Sequence, residues 1–310
     1  MKRMAAAMAA AVLSLAAAPQ EKRELRYAFK AGETFPMNVT YRLAVKLDKI
    51  PEVLQGGLGE DLLDVKFTAA LDMTVKEVGP DGHALLEGRW KSATAKGHMM
   101  VRDIDFKHPS AAGEKKPAAE ADPDLQGMMD MEENLRQLVA KPLVLSVDPQ
   151  GRATPKEVAG TGLADLDGPF RSLGGLAGVM PKEKVGQGDT WKDETKLLIP
   201  AAGQPVEIKL KVGNTYAEHA EGRAVIRTTF AVDNADAVKK ADPNNPLPFQ
   251  LNMSGSGEGT SVFAPADGRL VSSKSALKVK VAATIQNPGG GEDLELKATV
   301  SINQANDFGK

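Results

Sequence analysis

The stretch that decides the fold is Phe249–Ile285, FQLNMSGSGEGTSVFAPADGRLVSSKSALKVKVAATI. From Leu277 to Ile285, apolar residues alternate with lysine, alanine and threonine. This period of two is typical of a strand that buries one face. The first half alternates in the same way, and the Ala-Pro-Ala-Asp-Gly sequence between the halves has the composition of a tight turn. The stretch therefore predicts a long antiparallel hairpin.

Glycines replace bulky residues along one face of the first predicted strand. One interpretation is a bend or bulge, where a strongly curved sheet needs missing side chains. The other is a space on the concave face, where a ligand or a helix approaches the bare backbone. The residues on this face are Phe249, Leu251, Met253, Gly255, Gly257 and Gly259.

The same alternation recurs along most of the chain and predicts a mainly β fold. We expect one or two strongly curved antiparallel sheets, half-barrel-like, with two short helices on the concave side. One helix begins at a cap, Asp122 or Asp124, and ends near Lys141 before a proline. The second helix is predicted around 170–176, and a short strand is predicted over 24–30.

The first residues have the order of a secretory signal peptide: Lys2 and Arg3, an apolar run, then small residues. We predict cleavage after Ala16 and export to the periplasm or the cell exterior. The alternative is a membrane anchor, but the run is short and alanine-rich for a span of ~20 apolar residues. Removing the two basic residues changes the formal net charge from −2 to −4.

Similar turn sequences at 145–152 and 261–269 indicate two β-rich halves of similar plan, although hairpin turns can also resemble one another by chance. The predicted organisation is a signal peptide (1–16), an N-terminal half with one helix (17–158), a glycine-rich connection with a short helix (159–188) and a C-terminal half (189–310). The two halves could also form one continuous domain. After the signal sequence, no segment is long and apolar enough to predict a transmembrane span.

Several classes of function are disfavoured by composition. The chain has no cysteine and four histidines, none of them paired at a metal-ligand spacing, so we expect no metal and no cofactor. Neither a nucleophile motif nor a pair of carboxylates at catalytic spacing is evident, so we expect no enzyme. The near-neutral charge, without a basic patch, argues against nucleic-acid binding.

Two short motifs carry a family resemblance. The sequence 185–191, Val-Gly-Gln-Gly-Asp-Thr-Trp, follows Met180-Pro181, and the mature chain opens near 27–33 with Tyr-Ala-Phe-Lys-Ala-Gly-Glu. Both resemble a family of secreted bacterial β-rich proteins of unknown function, marked by a Gly-Asp-Thr-Trp type motif. The layout is also distantly similar to the periplasmic lipoprotein-carrier half-barrel, in which a curved sheet holds acyl chains. The resemblance implies this fold but no catalytic residues.

These observations lead to a non-catalytic protein that binds an apolar, lipid-like ligand in a concave β surface. The alternative is a structural or interaction protein of the cell envelope, with an envelope protein as its partner and no small-molecule ligand. The methionine-bearing helix would line the ligand space, because methionine adapts to variable apolar shapes. The candidate ligand-binding residues are Met128, Met131, Leu135, Leu173, Leu176, Met253, Gly255, Gly257, Leu277 and Val279.

Overall fold

A computed structural model describes residues 21–51, 59–99, 102–109, 135–156, 178–199, 206–233, 249–285 and 293–309. In these residues twelve strands form one antiparallel sheet, which confirms the mainly β prediction. The strands are β1 (Thr34–Lys49), β2 (Asp61–Val78), β3 (Ala84–Met99), β4 (Arg102–His108), β5 (Leu143–Val147), β6 (Ala153–Pro155), β7 (Thr190–Ile199), β8 (Val206–Ala220), β9 (Arg223–Asp233), β10 (Phe249–Ala264), β11 (Arg269–Ile285) and β12 (Leu294–Phe308).

The sheet joins the two halves of the chain through its first and last strands. The order is β6-β5-β3-β2-β1-β12-β11-β10-β9-β8-β7, with β4 paired to β3 off this path. β1 and β12 pair in register from Met37 opposite Phe308 to Leu47 opposite Ala298. The N-terminal and C-terminal halves therefore contribute to a single sheet.

The predicted hairpin is confirmed as β10 and β11. Phe249 lies opposite Ile285 and Gly257 lies opposite Leu277, so the register follows the alternation seen in the sequence. A β-bulge between Val262 and Phe263 adjusts the register just before the turn. Bulges bend a strand and increase its local twist, which suits a curved sheet.

The space above the two central glycines of β10 is filled. A Cβ at Gly255 would lie 2.4 Å from the carbonyl oxygen of Lys278, and one at Gly257 would lie 2.3 Å from that of Ala276. The same Cβ at Gly257 would also lie 3.1 Å from the ring of Phe230 on β9. The glycines therefore allow close approach of backbone and neighbouring side chains, which favours the bend interpretation.

The open sheet curls until its two terminal strands come close together. Eleven strands laid flat would place β6 about 48 Å from β7, at roughly 4.8 Å per step. Yet Arg152, which directly precedes β6, donates from Nη2 to Oδ1 of Asp193 on β7 at 3.0 Å. No ladder joins β6 to β7 within the described ranges, so the sheet curls strongly without closing.

Four short turns between described strands lie at one end of the sheet, which we call the turn end. They are the turns around 79–83, 148–152, 221–222 and 265–268. The starts of β1 and β7 and the end of β12 lie at the same end, because the pairing is antiparallel throughout. The connections that follow β1, β7, β9 and β11 leave from the opposite end.

Residues 21–33, which we call the N-terminal segment, run across the turn end. The prediction of a strand over 24–30 is wrong, because these residues join no ladder. Arg23, just before them, forms an isolated bridge with Val185. The Tyr27 amide donates to the carbonyl of Pro149 at 2.8 Å, and the Ala28 amide donates to that of Gly268 at 2.9 Å. These backbone bonds go to turns of both halves of the sheet instead of to one neighbouring strand.

Only part of the predicted helical structure lies within the described residues. Residues 135–140 are helical, with Leu135 and Val139 buried. The Trp90 indole on β3 donates to the carbonyl of Lys141 at 3.0 Å and holds the end of this helix against the sheet. The second predicted helix lies outside the described residues. In the described part of the chain, no helix has the length and hydropathy required to cross a membrane.

One face of the sheet carries the core. The inward residues of the strands form a single apolar cluster that extends from β5 to β8. Burial alternates along the strands. From Phe35 to Tyr41 on β1, every second side chain is buried, and the residues between them are exposed or half-buried. The period of two therefore places one apolar set inside the curled sheet.

A substitution at Gly151 tests the seating of Tyr27 against the β5–β6 turn. Gly151 has φ +88° and Gly188 has φ +92°, but only at Gly151 would a Cβ meet the Tyr27 ring, at 2.2 Å. Gly151→Ala and Gly188→Ala should each lose about 1 kcal/mol from the left-handed backbone. The ring clash should add about 1–3 kcal/mol at Gly151 alone.

Urea unfolding of the two variants provides the measurement, with Gly188→Ala as the matched control. Equal losses of unfolding free energy in both variants would show that Tyr27 does not pack against Gly151.

Candidate functional site

The structure places the apolar side chains among the described candidates inside the core. Met253 is 5 % exposed, Leu277 is 2 % exposed and Val279 is fully buried. Gly255 lies opposite Val279 and Gly257 opposite Leu277, so these residues share one patch of β10 and β11.

The other candidates divide between the helix and the undescribed ranges. Leu135, on the helical segment, is buried in the same apolar cluster. Met128, Met131, Leu173 and Leu176 lie outside the described residues.

A cavity of about 320 Å³ opens at the turn end, between the N-terminal segment and the sheet. We call it the turn-end cavity. Its walls are mostly apolar and include aromatic rings from both ends of the chain. The aromatic residues are Tyr27, Phe29, Phe35 and Phe308, and the remaining lining residues come from the turns 221–223 and 264–271 and from Gly309.

Aromatic packing shapes the apolar wall of this cavity. The rings of Tyr27 and Phe29 stack with centroids 5.9 Å apart, and Tyr27 meets Phe263 edge to face at 5.3 Å. Phe35 and Phe308 lie 6.4 Å apart across the β1–β12 pair. Tyr27 is only 2 % exposed, and its hydroxyl donates to the carbonyl of Gly178. The wall is therefore held by the central strand pair and by the N-terminal segment together.

Charged groups of both signs stand at the rim of the turn-end cavity. The Arg269 guanidinium pairs with Glu33 and lies 5.7 Å from the centroid of the Phe35 ring. Arg223, Glu221 and Asp267 also line the cavity. Because positive and negative charges are mixed, the cavity suits an apolar group with a polar end better than a strongly charged ligand.

Sequence reasoning did not identify these aromatic residues as a site. Tyr27 and Phe29 were visible only as a pair two residues apart, which an extended segment places on one face. Phe308 lies almost at the end of the chain. Only the pairing of β1 with β12 brings Phe308 to Phe35.

The Gly-Asp-Thr-Trp motif builds the turn that leads into β7. The Asp189 carboxylate accepts a bond from the Gly186 amide at 3.0 Å, and this bond lowers the pKa of Asp189. Gly188 adopts a positive φ and donates its amide to the carbonyl of Tyr216 at 2.7 Å. The Trp191 indole donates to the carbonyl of Val179 at 3.2 Å. The Asp189 carboxylate, the Gly188 amide and the Trp191 indole thus each have a structural partner.

His219 also has a structural setting. The guanidinium of Arg23 donates to His219 Nε2 at 3.0 Å, because arginine has no acceptor. His219 Nδ1 lies 2.8 Å from the hydroxyl of Tyr216. The Nε2 contact therefore joins the N-terminal segment to β8, and the Nδ1 contact lies within β8. Within the described residues, no group of three or more histidine, aspartate or glutamate side chains could hold a metal ion.

A buried polar patch interrupts the apolar inner face on β8 to β12. Thr228 donates to the side-chain oxygen of Asn214 at 2.9 Å, and the Asn306 amide donates to Ser273 at 3.1 Å. Such buried pairs contribute about 1 kcal/mol each and disfavour slipped registers. The patch comprises Asn214, Thr228, Ser261, Ser273, Ser275, Gln304 and Asn306.

Comparison with known proteins leaves the fold and the cavity as the basis for inference. No family model matches the chain, and no curated protein is significantly similar to it.

The buried tyrosines make stability depend on pH in the alkaline range. Burial raises the pKa of Tyr41 to about 12, and burial with a smaller effect of Asp148 raises that of Tyr27. A raised pKa means that the folded state holds its proton more tightly, so this stability is present below about pH 10 and is lost as pH rises. Each buried tyrosine should remove about 1.4 kcal/mol per pH unit between about pH 10 and 12.

Urea unfolding of the wild type and of Tyr41→Phe between pH about 9 and about 11.5 measures this dependence. Subtracting the unfolding free energies of the two proteins at each pH removes the contribution of lysine titration, which both proteins share. Parallel curves for the two proteins would show that Tyr41 titrates normally in the folded state.

Proposed function

We propose that this protein is exported, is not an enzyme, and binds an apolar, lipid-like ligand. The observation that carries the proposal is the turn-end cavity, which is aromatic, partly enclosed and about 320 Å³ in volume. Ligand cavities in proteins occupy about 300–1,000 Å³ and are mostly apolar with a few polar groups. A cavity at the lower end of this range would hold a ring or the end of an acyl chain, with the polar end of the ligand at the charged rim.

The half-barrel-like arrangement with two helices on the concave side belongs to the same proposal. The strong curl of the sheet and the buried helical segment 135–140 support it. The proposal also includes the second helix that the sequence predicts around 170–176. It includes four candidate ligand-binding residues predicted from the sequence: Met128, Met131, Leu173 and Leu176. In this arrangement the concave face could add a second apolar surface for the same ligand.

The proposal of a non-catalytic role rests on the hydrogen bonds that polar side chains at the turn end already make. His219 and Asp189 each bond to backbone or side chains that fix a turn or a strand. Turn-end polar groups committed to such contacts are poorly placed for acid–base chemistry, which requires access to a substrate.

A structural or interaction protein of the envelope is the second candidate. The observation that favours it is the burial of Met253, Leu277 and Val279, where a carrier would need accessible apolar surface on the concave face. This alternative predicts an envelope protein partner and no small-molecule ligand.

Export has a direct test in the mature N terminus. If the signal peptide is cleaved after Ala16, mass spectrometry of the protein recovered from its own export pathway should show a chain that begins at Ala17. A chain that retains Met1, or one recovered only from the cell interior, would contradict the export proposal.

Native mass spectrometry of the exported protein, followed by organic extraction, tests ligand binding. We expect a bound apolar molecule of defined mass and uptake of a fluorescent fatty-acid probe. Phe29→Ala and Phe308→Ala should each weaken probe binding several-fold, because truncating an aromatic side chain that the bound probe covers costs about 1–3 kcal/mol.

Val45→Ala is the matched control, since Val45 is a half-buried core residue of β1 away from the turn end. Probe binding should not change in this variant. A protein without extracted ligand and without probe uptake would overturn the binding proposal and leave the envelope role, to be pursued by partner capture.

A further inference from the structure

The outer face of the sheet gathers cations that are far apart in the sequence. A shallow groove of about 1010 Å³ crosses this face and is lined by Arg42, Lys66, Arg227 and Lys274. Glu258 is the carboxylate among its lining residues. The groove runs from β2 to β9, five strand spacings or about 24 Å. The sequence did not reveal this basic surface, because its members come from four different strands.

Three cations stand directly opposite one another at one end of the groove. Lys66 on β2 lies between Lys96 on β3 and Arg42 on β1. Like charges in directly opposed positions destabilise an antiparallel pair. The charge of Arg42 is compensated by a bidentate ion pair with Asp64. Lys96 Nζ lies 4.0 Å from Asp105 Oδ1. Lys66 makes no ion pair with any described residue.

At the other end of the groove, two cations again lie in one row across the sheet, but on strands that are not adjacent. Lys274 and Arg227 both lie opposite Thr260, one on each side, so they stand two strands apart. Neither forms an ion pair within the described ranges. Glu258 lies two residues from Thr260 on the same face, and it is more than 4 Å from either cation. Exposed cations without carboxylate partners leave a net positive potential along the groove.

The floor of the groove is small and polar. It consists of hydroxyl, amide and methyl side chains, with no aromatic ring among the lining residues. Nucleic-acid grooves use aromatic rings to stack bases, so this floor lacks the main feature of single-strand recognition. The outward floor residues are Thr40, Thr229, Thr260, Ala276, Asn303 and Ala305.

We propose that this groove binds a linear anionic polysaccharide that lies across the strands. The cations would contact its carboxylate or sulfate groups, and the threonine and asparagine side chains would hydrogen-bond its hydroxyls. The recessed shape fits a single chain better than a flat lipid surface. The groove lies on the opposite face from the core and is independent of the turn-end cavity, so either proposal can fail without the other.

Isothermal titration with oligogalacturonates of increasing length, at low ionic strength, tests the proposal. Affinity should rise with length until the chain spans the groove, and it should fall as salt is added. Neutral dextran oligomers should not bind. No binding of oligogalacturonate at any length, or equal binding of dextran, would overturn the proposal.

A matched pair of triple variants tests the location. Lys66→Gln, Lys274→Gln and Arg227→Gln together should weaken binding at least ten-fold. Lys30→Gln, Lys182→Gln and Lys184→Gln remove the same charge from exposed positions outside the groove and should change affinity less than two-fold. Equal losses in the two proteins would show a general charge effect and overturn the site.

Two further measurements separate this site from its rivals. Lys66→Gln alone should raise the Tm while weakening binding, because it removes the opposed like charges. A fall in Tm would show that Lys66 serves the fold. Tighter binding of single-stranded DNA, or of vesicles rich in anionic lipid, than of the longest oligogalacturonate would overturn the assignment to a polysaccharide.

Discussion

The pairing of β1 with β12 is the constraint on which the rest of the structure depends. It joins the first described strand to the last, and neither half alone would place its apolar face inside a curled sheet of this width. Closing so long a loop costs conformational entropy that must be recovered by burial along the whole length of both strands. The core residues Met37, Val39 and Ile302 lie on this pair. Contacts of such high sequence separation are expected to form slowly.

The N-terminal segment has a related role at the turn end. It crosses turns of both halves and places Tyr27 beneath them, where the ring is enclosed by Gly151 and Phe263. Together with Arg152 and Asp193, this segment connects regions that the strand ladders leave unjoined. The turn-end cavity results from this arrangement, because its walls come from the segment and from the central strand pair.

Two faces of one sheet therefore offer different chemistry. The inner face is apolar, with a polar patch on β8 to β12, and most of its described side chains are buried. The outer face is polar, and where it crosses the central strands it carries cations with few opposing carboxylates. An apolar ligand and an anionic polymer could thus be held on separate surfaces without competing for residues.

The sequence by itself determined most of the long strands, the principal hairpin and the inward set of residues, because alternation with a period of two is a local property of an extended chain. Leu277 and Val279 were assigned to the buried face in this way, and the structure buries them. Only the tertiary structure decided that β12 pairs with β1, that residues 24–30 cross the sheet instead of joining it, and that Lys66, Arg42, Lys274 and Arg227 share a groove. These outcomes depend on which distant strands become neighbours, and that choice is made by the burial summed over the whole sheet, which no local pattern encodes.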